Sequence, residues 1–279
     1  MSDKSKHHAR DLTKYHYSSI FFSDIHLGTK SCQADSLIEF LKQHSCETLY
    51  LVGDIVDGWS LKSNLYWPQS HNNVLRRILT LAKRGTKVIF VTGNHDEFLR
   101  KYSDMTFGNL ELVDEAIHLA GDGRTYLVVH GDQYDVVTMY HRWLAFLGGY
   151  GYALLLRLNR YVNWTRRRFN LRPWSLSAYV KHRVKRAVNF ISEFEKAIAS
   201  DCQNRGHDGV VCGHIHHAEI TNFDGTVYMN CGDWVESCTA LVEDAPGRFK
   251  IIRWNSAEGN VIPLPMTTMD EGLPLGRSA

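Results

Sequence analysis

Acidic residues are missing from one long stretch of this chain: there is no Asp or Glu between Val136 and Ser192. Other features are missing too. Among the six cysteines (Cys32, Cys46, Cys202, Cys212, Cys231 and Cys238) there is no C-x-x-C pair, which argues against a zinc ribbon or a dithiol redox motif. Scattered cysteines in a chain this long fit a reducing cytosol. Met1 to Tyr17 is polar and charged, without the apolar core of a signal peptide. The longest mostly apolar stretch, Trp143 to Leu158, is short for a bilayer span and contains Arg157, so no transmembrane helix is expected. Internal repeats are absent, which excludes a solenoid.

What is present is unevenly distributed. The 279 residues, 44% hydrophobic and 22% charged, have the composition of a globular protein with one large core or two modest ones. Net charge is only +2, yet eleven of the 32 basic residues lie between Val136 and Ser192, so the rest of the chain carries −9. Segregation of that size reads as a surface for an anionic ligand. Fifteen histidines are also present, and histidine is a common metal ligand.

Five short apolar runs end in ligand-type residues. Ser19–Phe22 leads to Asp24 and His26, Leu49–Val52 to Asp54, and Val88–Val91 to Asn94 and His95. Tyr126–Val129 leads to His130, and Val210–Cys212 to His214 and His216. Each run reads as a buried strand. Helical patterns over Ala34–His44 and Asn72–Arg84, the second closed by Gly85, separate the first three. This alternation predicts an α/β layered fold. Later runs at Val227–Asn230, Thr239–Val242 and Phe249–Trp254 are expected to close a sheet in antiparallel fashion. Val180, Val184, Ala187, Ile191, Phe194 and Ile198 mark one face of a long helix, with Ser175 or Ser177 as its N-cap. The expected organisation is a core of residues 18–135 and 207–255, a basic, aromatic-rich helical cap over 136–206, and flexible tails at 1–17 and 256–279.

Ligands of open α/β sheets bind beyond the carboxyl ends of the strands. There this chain offers oxygen and imidazole donors suited to Mn, Fe or Zn, and no thiolate. Two metals with a shared carboxylate need about seven such groups. One D-x-H or G-D pair is usually a turn; five such pieces in order, each after a buried strand, are not expected from capping and turn chemistry alone.

The ordered set Ser23-Asp24-Ile25-His26, Gly53-Asp54, Gly93-Asn94-His95-Asp96, His130-Gly131-Asp132 and Gly213-His214-Ile215-His216 resembles the calcineurin-like metallophosphoesterase superfamily. That resemblance implies a β-sandwich flanked by helices, with two metals at one end. Asp24, His26, Asp54 and His216 would hold one metal, and Asp54, Asn94, His130 and His214 the other, with Asp54 bridging; Mn is the metal implied. Such a pair generates a nucleophile from water near neutral pH and offsets charge on the phosphoryl oxygens. Within the superfamily the chain is most similar to the UDP-2,3-diacylglucosamine pyrophosphatases of lipid A biosynthesis, through Gly53-Asp54-Ile55-Val56-Asp57-Gly58-Trp59 and Gly232-Asp233-Trp234, where that family has Gly-Ala-Trp. It departs at His95, where that family typically has Arg. The arginine of the Ser/Thr phosphatase motif G-D-x-x-D-R-G is absent after Asp57, which counts against a phosphoprotein substrate.

His95 is the candidate general acid, its alternative being a hydrogen-bond donor behind the ligands; Asp54 and Asp96 are candidate orienting groups. The other histidines, including His71 and His118, are read as ordinary; His217, adjacent to a ligand, is read as either ordinary or a supporting neighbour of the ligands. Trp59 and Trp234 either line the site mouth or pack in the core. Arg157, Arg160, Lys181 and Arg183, together with Trp59, are the candidate substrate contacts. The cap admits three readings: a surface for a phosphorylated or nucleotide-linked lipid, lying on the anionic inner face of the cytoplasmic membrane; a nucleic-acid groove, making the protein a nuclease; or a solvated helical face. The apolar run Trp143–Leu156 favours the first. A non-catalytic scaffold would be expected to lack donors, and none of the seven is missing. No obligate protein partner is inferred.

Overall fold

Alternation along β1 (Tyr15–Phe22) sets the layering: Ile20 and Phe22 pack in one apolar cluster, Phe21 in another. The same division holds in β2 (His44–Val52), where Leu49 and Leu51 oppose Tyr50 and Val52, and in β3 (Lys87–Val91), where Val88 and Phe90 oppose Ile89 and Val91. A sheet buried on both faces must therefore lie between two layers. A computed structural model describes residues 15–134, 191–244 and 247–263 and contains both.

On one face lie α1 (Ala34–Gln43), through Leu37, Phe40 and Leu41, and α3 (Gln69–Lys83), through Val74, Ile78 and Leu81. These positions recur every three or four residues, the spacing of one helical face. α3 stops where the sequence places its end: Gly85 takes φ +108 while Gly85 N–H and Thr86 N–H donate to the last-turn carbonyls of Ala82 and Leu81. Between these helices lies α2 (Gly58–Ser63), a single short turn. It has no apolar periodicity and was not expected.

The remaining strands are β4 (Thr106–Phe107), β5 (Leu110–Val113), β6 (Ala116–Leu119), β7 (Thr125–Val128), β8 (Gly209–Cys212), β9 (Glu219–Phe223), β10 (Thr226–Asn230), β11 (Thr239–Asp244), β12 (Arg248–Asn255) and β13 (Asn260–Pro263). One eight-stranded sheet runs β13-β12-β11-β1-β2-β3-β5-β4 and a five-stranded sheet runs β6-β7-β8-β10-β9. β1, β2, β3 and β5 are parallel, as are β7, β8 and β10. The expected antiparallel closure is correct for β11 and β12 on the first sheet. It is corrected for Val227–Asn230: β10 joins the other sheet, parallel to β8 and antiparallel only to β9. Strand periodicity is the same in both orientations, so pattern alone could not separate them.

The chain divides into two compact units, Met1–Asp132 with Ala199–Ala279, and Gln133–Ile198. Residues 191–204 are helical, with Phe194 and Ile198 of the expected stripe buried. The expected helical segment Tyr140–Asn170, the caps at Ser175 or Ser177, most of both tails, and Arg157, Arg160, Lys181 and Arg183 lie outside the described residues. No helix among the described residues is long and apolar enough to cross a membrane. All six cysteines are free thiols.

One polar chain crosses between the sheets. Tyr50 Oη lies 3.1 Å from His118 Nδ1, His118 Nε2 lies 2.9 Å from Glu243 Oε2, and Gly121 N–H donates to Glu243 Oε1. Burial by itself would raise the Glu243 carboxyl, but hydrogen bonds from His118 and Gly121 hold it below the ordinary glutamate value. A depressed acid stabilises the fold above its unfolded pKa, and that contribution is lost as pH falls through the folded one. Replacing Glu243 with Gln should therefore cost about 1–3 kcal/mol at pH 7 in chemical denaturation. The difference from wild type should shrink as pH drops below the ordinary glutamate range.

Candidate metal centre

The five ligand-bearing turns leave the carboxyl ends of β1, β2, β3, β7 and β8. Parallel pairing persists past the strands, with Asp24 N–H donating to Gly53 O (3.1 Å) and His26 N–H to Asp54 O (2.9 Å). The backbone then bends sharply. Asp24, His26, Asp54, His214 and His216 all have left-handed φ, between +53° and +71°. Asp and His enter this region more readily than most residues, and such conformations concentrate at functional sites. The glycines allow close approach: a Cβ on Gly53 would enter the His130 ring, and one on Gly93 would strike the Asp54 carboxylate.

Backbone amides secure one oxygen of each acid. His214 N–H donates to Asp24 Oδ2 (2.9 Å) and His95 N–H to Asp54 Oδ1 (2.8 Å). The other oxygens face imidazoles. Asp24 Oδ1 lies 3.1 Å from His216 Nε2 and 3.8 Å from His26 Nε2. Asp54 Oδ2 lies 3.4 Å from His130 Nε2 and 3.8 Å from Nε2 of both His26 and His95. His214 Nδ1 lies 3.2 Å from His130 Nε2. His130 Nδ1 faces the Val52 carbonyl at 3.0 Å; a carbonyl only accepts, so Nδ1 carries a proton and Nε2 is the nitrogen turned to the site.

Two buried carboxylates dominate the electrostatics. Burial disfavours both ions, yet the His216, His26 and His130 imidazoles hold Asp24 well below the usual carboxylate range, and His130 holds Asp54 near 2. Conversely, burial opposes charge on His26 and His130, but Asp24, Asp57 and Asp54 around the first and chiefly Asp54 around the second push each to about 10. His216 is raised too, by Asp24 against its own desolvation. This is a concentrated negative field that attracts positive charge, whether proton or metal.

The atoms present fit a cation. Among the described residues, Asp24 Oδ1, His26 Nε2 and Asn94 Oδ1 are buried with no hydrogen-bond partner. Burial without a partner is costly unless something else binds there. Asp24, His26 and His216 form one group of candidate donor atoms within 4.8 Å of one another, Asp54, His130 and His214 a second, and His26, Asp57 and His95 a third.

Sequence reading missed two contributors. Asp57 accepts from Ser60 N–H through Oδ1 (2.6 Å), capping α2, while Oδ2 sits 3.3 Å from His26 Nδ1 and 3.0 Å from His95 Nδ1. After its own desolvation, those two imidazoles dominate and hold Asp57 far below the usual range. His71 was read as ordinary, but its Nδ1 accepts the Gly28 N–H (3.1 Å) and ties α3 to the turn after His26. Two expectations sharpen. Asp96 is fully buried, and both its oxygens accept amides of the turn after Asp54, from Ile55 (2.9 Å) and Val56 (2.7 Å). Burial and the charge of Asp54 push it up to about 7. Trp234 is wholly buried against Phe22 and Phe40, whereas Trp59 is 44% exposed beside His95. His217 lies on the surface, 3.2 Å from Glu219.

The family model for calcineurin-like phosphoesterases matches residues 18–218. The chain belongs to that family. This phosphoesterase is accordingly a phosphoester hydrolase, and its family implies divalent metal ions. It is 24% identical over 244 residues to the UDP-2,3-diacylglucosamine hydrolase of Aliivibrio fischeri, covering 80% of this chain and 92% of that protein. It is 25% identical to the Aeromonas salmonicida enzyme of the same name, covering 81% and 89%. A 28% match to the Blochmanniella pennsylvanica enzyme spans 41% of this chain and 46% of that one. Among solved structures, an Entamoeba histolytica Vps29 mutant aligns at 14% identity and a TM-score of 0.42, over 88% of this chain and 96% of that one. The E. coli phosphoesterase Yfce aligns at 14% and 0.40, over 89% and 99%.

Because Gly93 leaves no room for a methyl group against Asp54, Gly93→Ala should displace that carboxylate. The expected result is a marked loss of bound divalent metal by elemental analysis, with the circular dichroism spectrum retained.

Proposed function

We propose that this phosphoesterase hydrolyses UDP-2,3-diacylglucosamine to a lipid monophosphate and UMP, with two Mn ions. Asp24, His26, Asp54 and His216 would hold one ion, and Asp54, Asn94, His130 and His214 the other. Two neighbouring groups of donor atoms, Asp24 with His26 and His216 and Asp54 with His130 and His214, with unpartnered buried polar atoms among the seven, carry the reading. The substrate is supported by the relatives' names and the extent of the matches. When bound, the metals supply a nucleophile at neutral pH and stabilise charge on the phosphoryl oxygens.

The chain's own residues do the rest. His95 hands a proton to the leaving oxygen from Nε2, the nitrogen facing Asp54, while Asp57 Oδ2 lies 3.0 Å from its Nδ1. Asp96 holds the turn that carries Asp54. The basic, acid-free segment containing Arg157, Arg160, Lys181 and Arg183 contacts the phosphorylated lipid and the anionic inner face of the cytoplasmic membrane. A phosphodiesterase acting on nucleic acid is the second reading, favoured by the same basic segment and its interleaved aromatic residues.

Mn-loaded protein should turn over UDP-2,3-diacylglucosamine faster than aryl phosphodiesters; turnover of the aryl esters alone defeats the lipid substrate. Flotation with anionic but not neutral liposomes is expected, and retention of oligonucleotides instead would favour the second reading.

Replacing His95 with Ala should lower kcat by about 10²–10⁴ with metal content full. Asp57→Asn, which keeps a good helix cap, should lower kcat in the same direction. Metal loss from the His95 variant would make that residue part of the ligand shell.

A further inference from the structure

Trp59 stands on α2 with its ring tilted 38° against His95, 4.2 Å between centroids. Its Nε1–H donates to Glu97 Oε1 at 3.3 Å, so one face and the polar edge are both occupied. The indole is nevertheless 44% exposed. A second aromatic residue, Phe98, is 38% exposed and packs over Gly58, where a Cβ would come within 2.7 Å of its ring. A tryptophan serving the core would bury both faces, as Trp234 does. This one is oriented by two contacts and presents flat apolar surface to water, beside the histidine that borders Asp54 Oδ2.

We propose that Trp59 is a stacking platform for the nucleobase of a nucleotide whose phosphate is held at the Asp54 cluster. The inference rests on the reading above only in placing a phosphoryl group among those donors. A nucleoside 5′-phosphate holds its base one ribose away from phosphorus, and a single side chain, His95, stands between the Trp59 ring and Asp54 Oδ2. Every base has a π-face, and a rigid, pre-oriented indole stacks on it at little entropic cost. His95 and Glu97 set the plane of the ring, and its outward face is left for the ligand.

The test is calorimetric titration of the Mn-loaded full chain with UMP and with ribose 5-phosphate, which lacks only the base. Wild type should bind UMP roughly tenfold or more tightly than ribose 5-phosphate, the scale of one base–aromatic stack. In Trp59→Ala the ratio should fall to near one, and in Trp59→Phe most of it should return. Equal affinities in wild type, no detectable UMP binding, or an unchanged ratio in Trp59→Ala would each overturn the platform. So would parallel loss of ribose 5-phosphate affinity in Trp59→Ala, which would mean that the indole only supports the site. If UDP-2,3-diacylglucosamine is not turned over while the ratio behaves as expected, the substrate assignment fails and the platform stands. If turnover is intact and the ratio is insensitive to Trp59, the platform alone fails.

Discussion

The site depends on a division of labour within each carboxylate. Asp24 and Asp54 each give one oxygen to a backbone amide of a distant turn, from His214 and His95, and keep the other for the interior of the cluster. An acid anchored at one oxygen cannot rotate to satisfy itself elsewhere, so its second oxygen stays aimed at the imidazoles. The same bonds link the turn after β8 to that after β1, and the turn after β3 to that after β2. Asp96 repeats the device in reverse, spending both oxygens on the turn that carries Asp54. Preorganisation of this kind lets charged groups act on a ligand without rearranging first.

The backbone conformations follow from the same geometry. Strands in two sheets must turn within two or three residues to bring their termini together, and left-handed φ at five of the seven donors is the result. Each such residue costs on the order of 1–2 kcal/mol relative to ordinary backbone, which the surrounding packing has to offset. Support comes from the Gly232–Trp234 turn beneath the first strand. Ser23 Oγ donates to Gly232 O (2.7 Å), Trp234 N–H donates to Asp24 O (3.0 Å), and Asp233 fastens its own turn through the amides of Val235, Glu236 and Ser237. The resemblance of Gly232-Asp233-Trp234 to a family motif thus has a physical basis in holding Asp24, apart from any contact with substrate.

The parts of this arrangement that sequence reasoning could see were those where two patterns collide. A dry apolar strand followed at once by Asp, Asn or His makes little sense as packing, and the repetition of that collision marked the six residues whose donor atoms lie together, with Asn94 beside His95. Asp57 escaped because its nearest signature, an acid just before a helix, is what a cap looks like, and the structure uses one oxygen for each purpose. His71 and His118 escaped because their partners, Gly28, Tyr50 and Glu243, come from remote strands and turns. β4 and β6 escaped for another reason. Phe107, Ile117 and Leu119 are exposed, so these short edge strands turn their large apolar residues away from the core.

The cluster is asymmetric between its floor and its rim, and that asymmetry bears on what it can bind. Asp24, Asp54, His130 and Asp96 are essentially inaccessible, whereas the His216 side chain is 39% exposed and Trp59 is open beside His95. Low dielectric below strengthens the pull of the two acids on any cation, since little water competes. The imidazoles already hold protons tightly in that field, so an entering metal ion must displace protons from His26, His130 and His216, and affinity therefore falls as pH falls. The exposed His216 side chain gives a phosphoryl group access to the same charges. A closed site of identical donors would be a structural cation cage; with its open side bordered by His216, His95 and Trp59, this one has the form of a reaction centre.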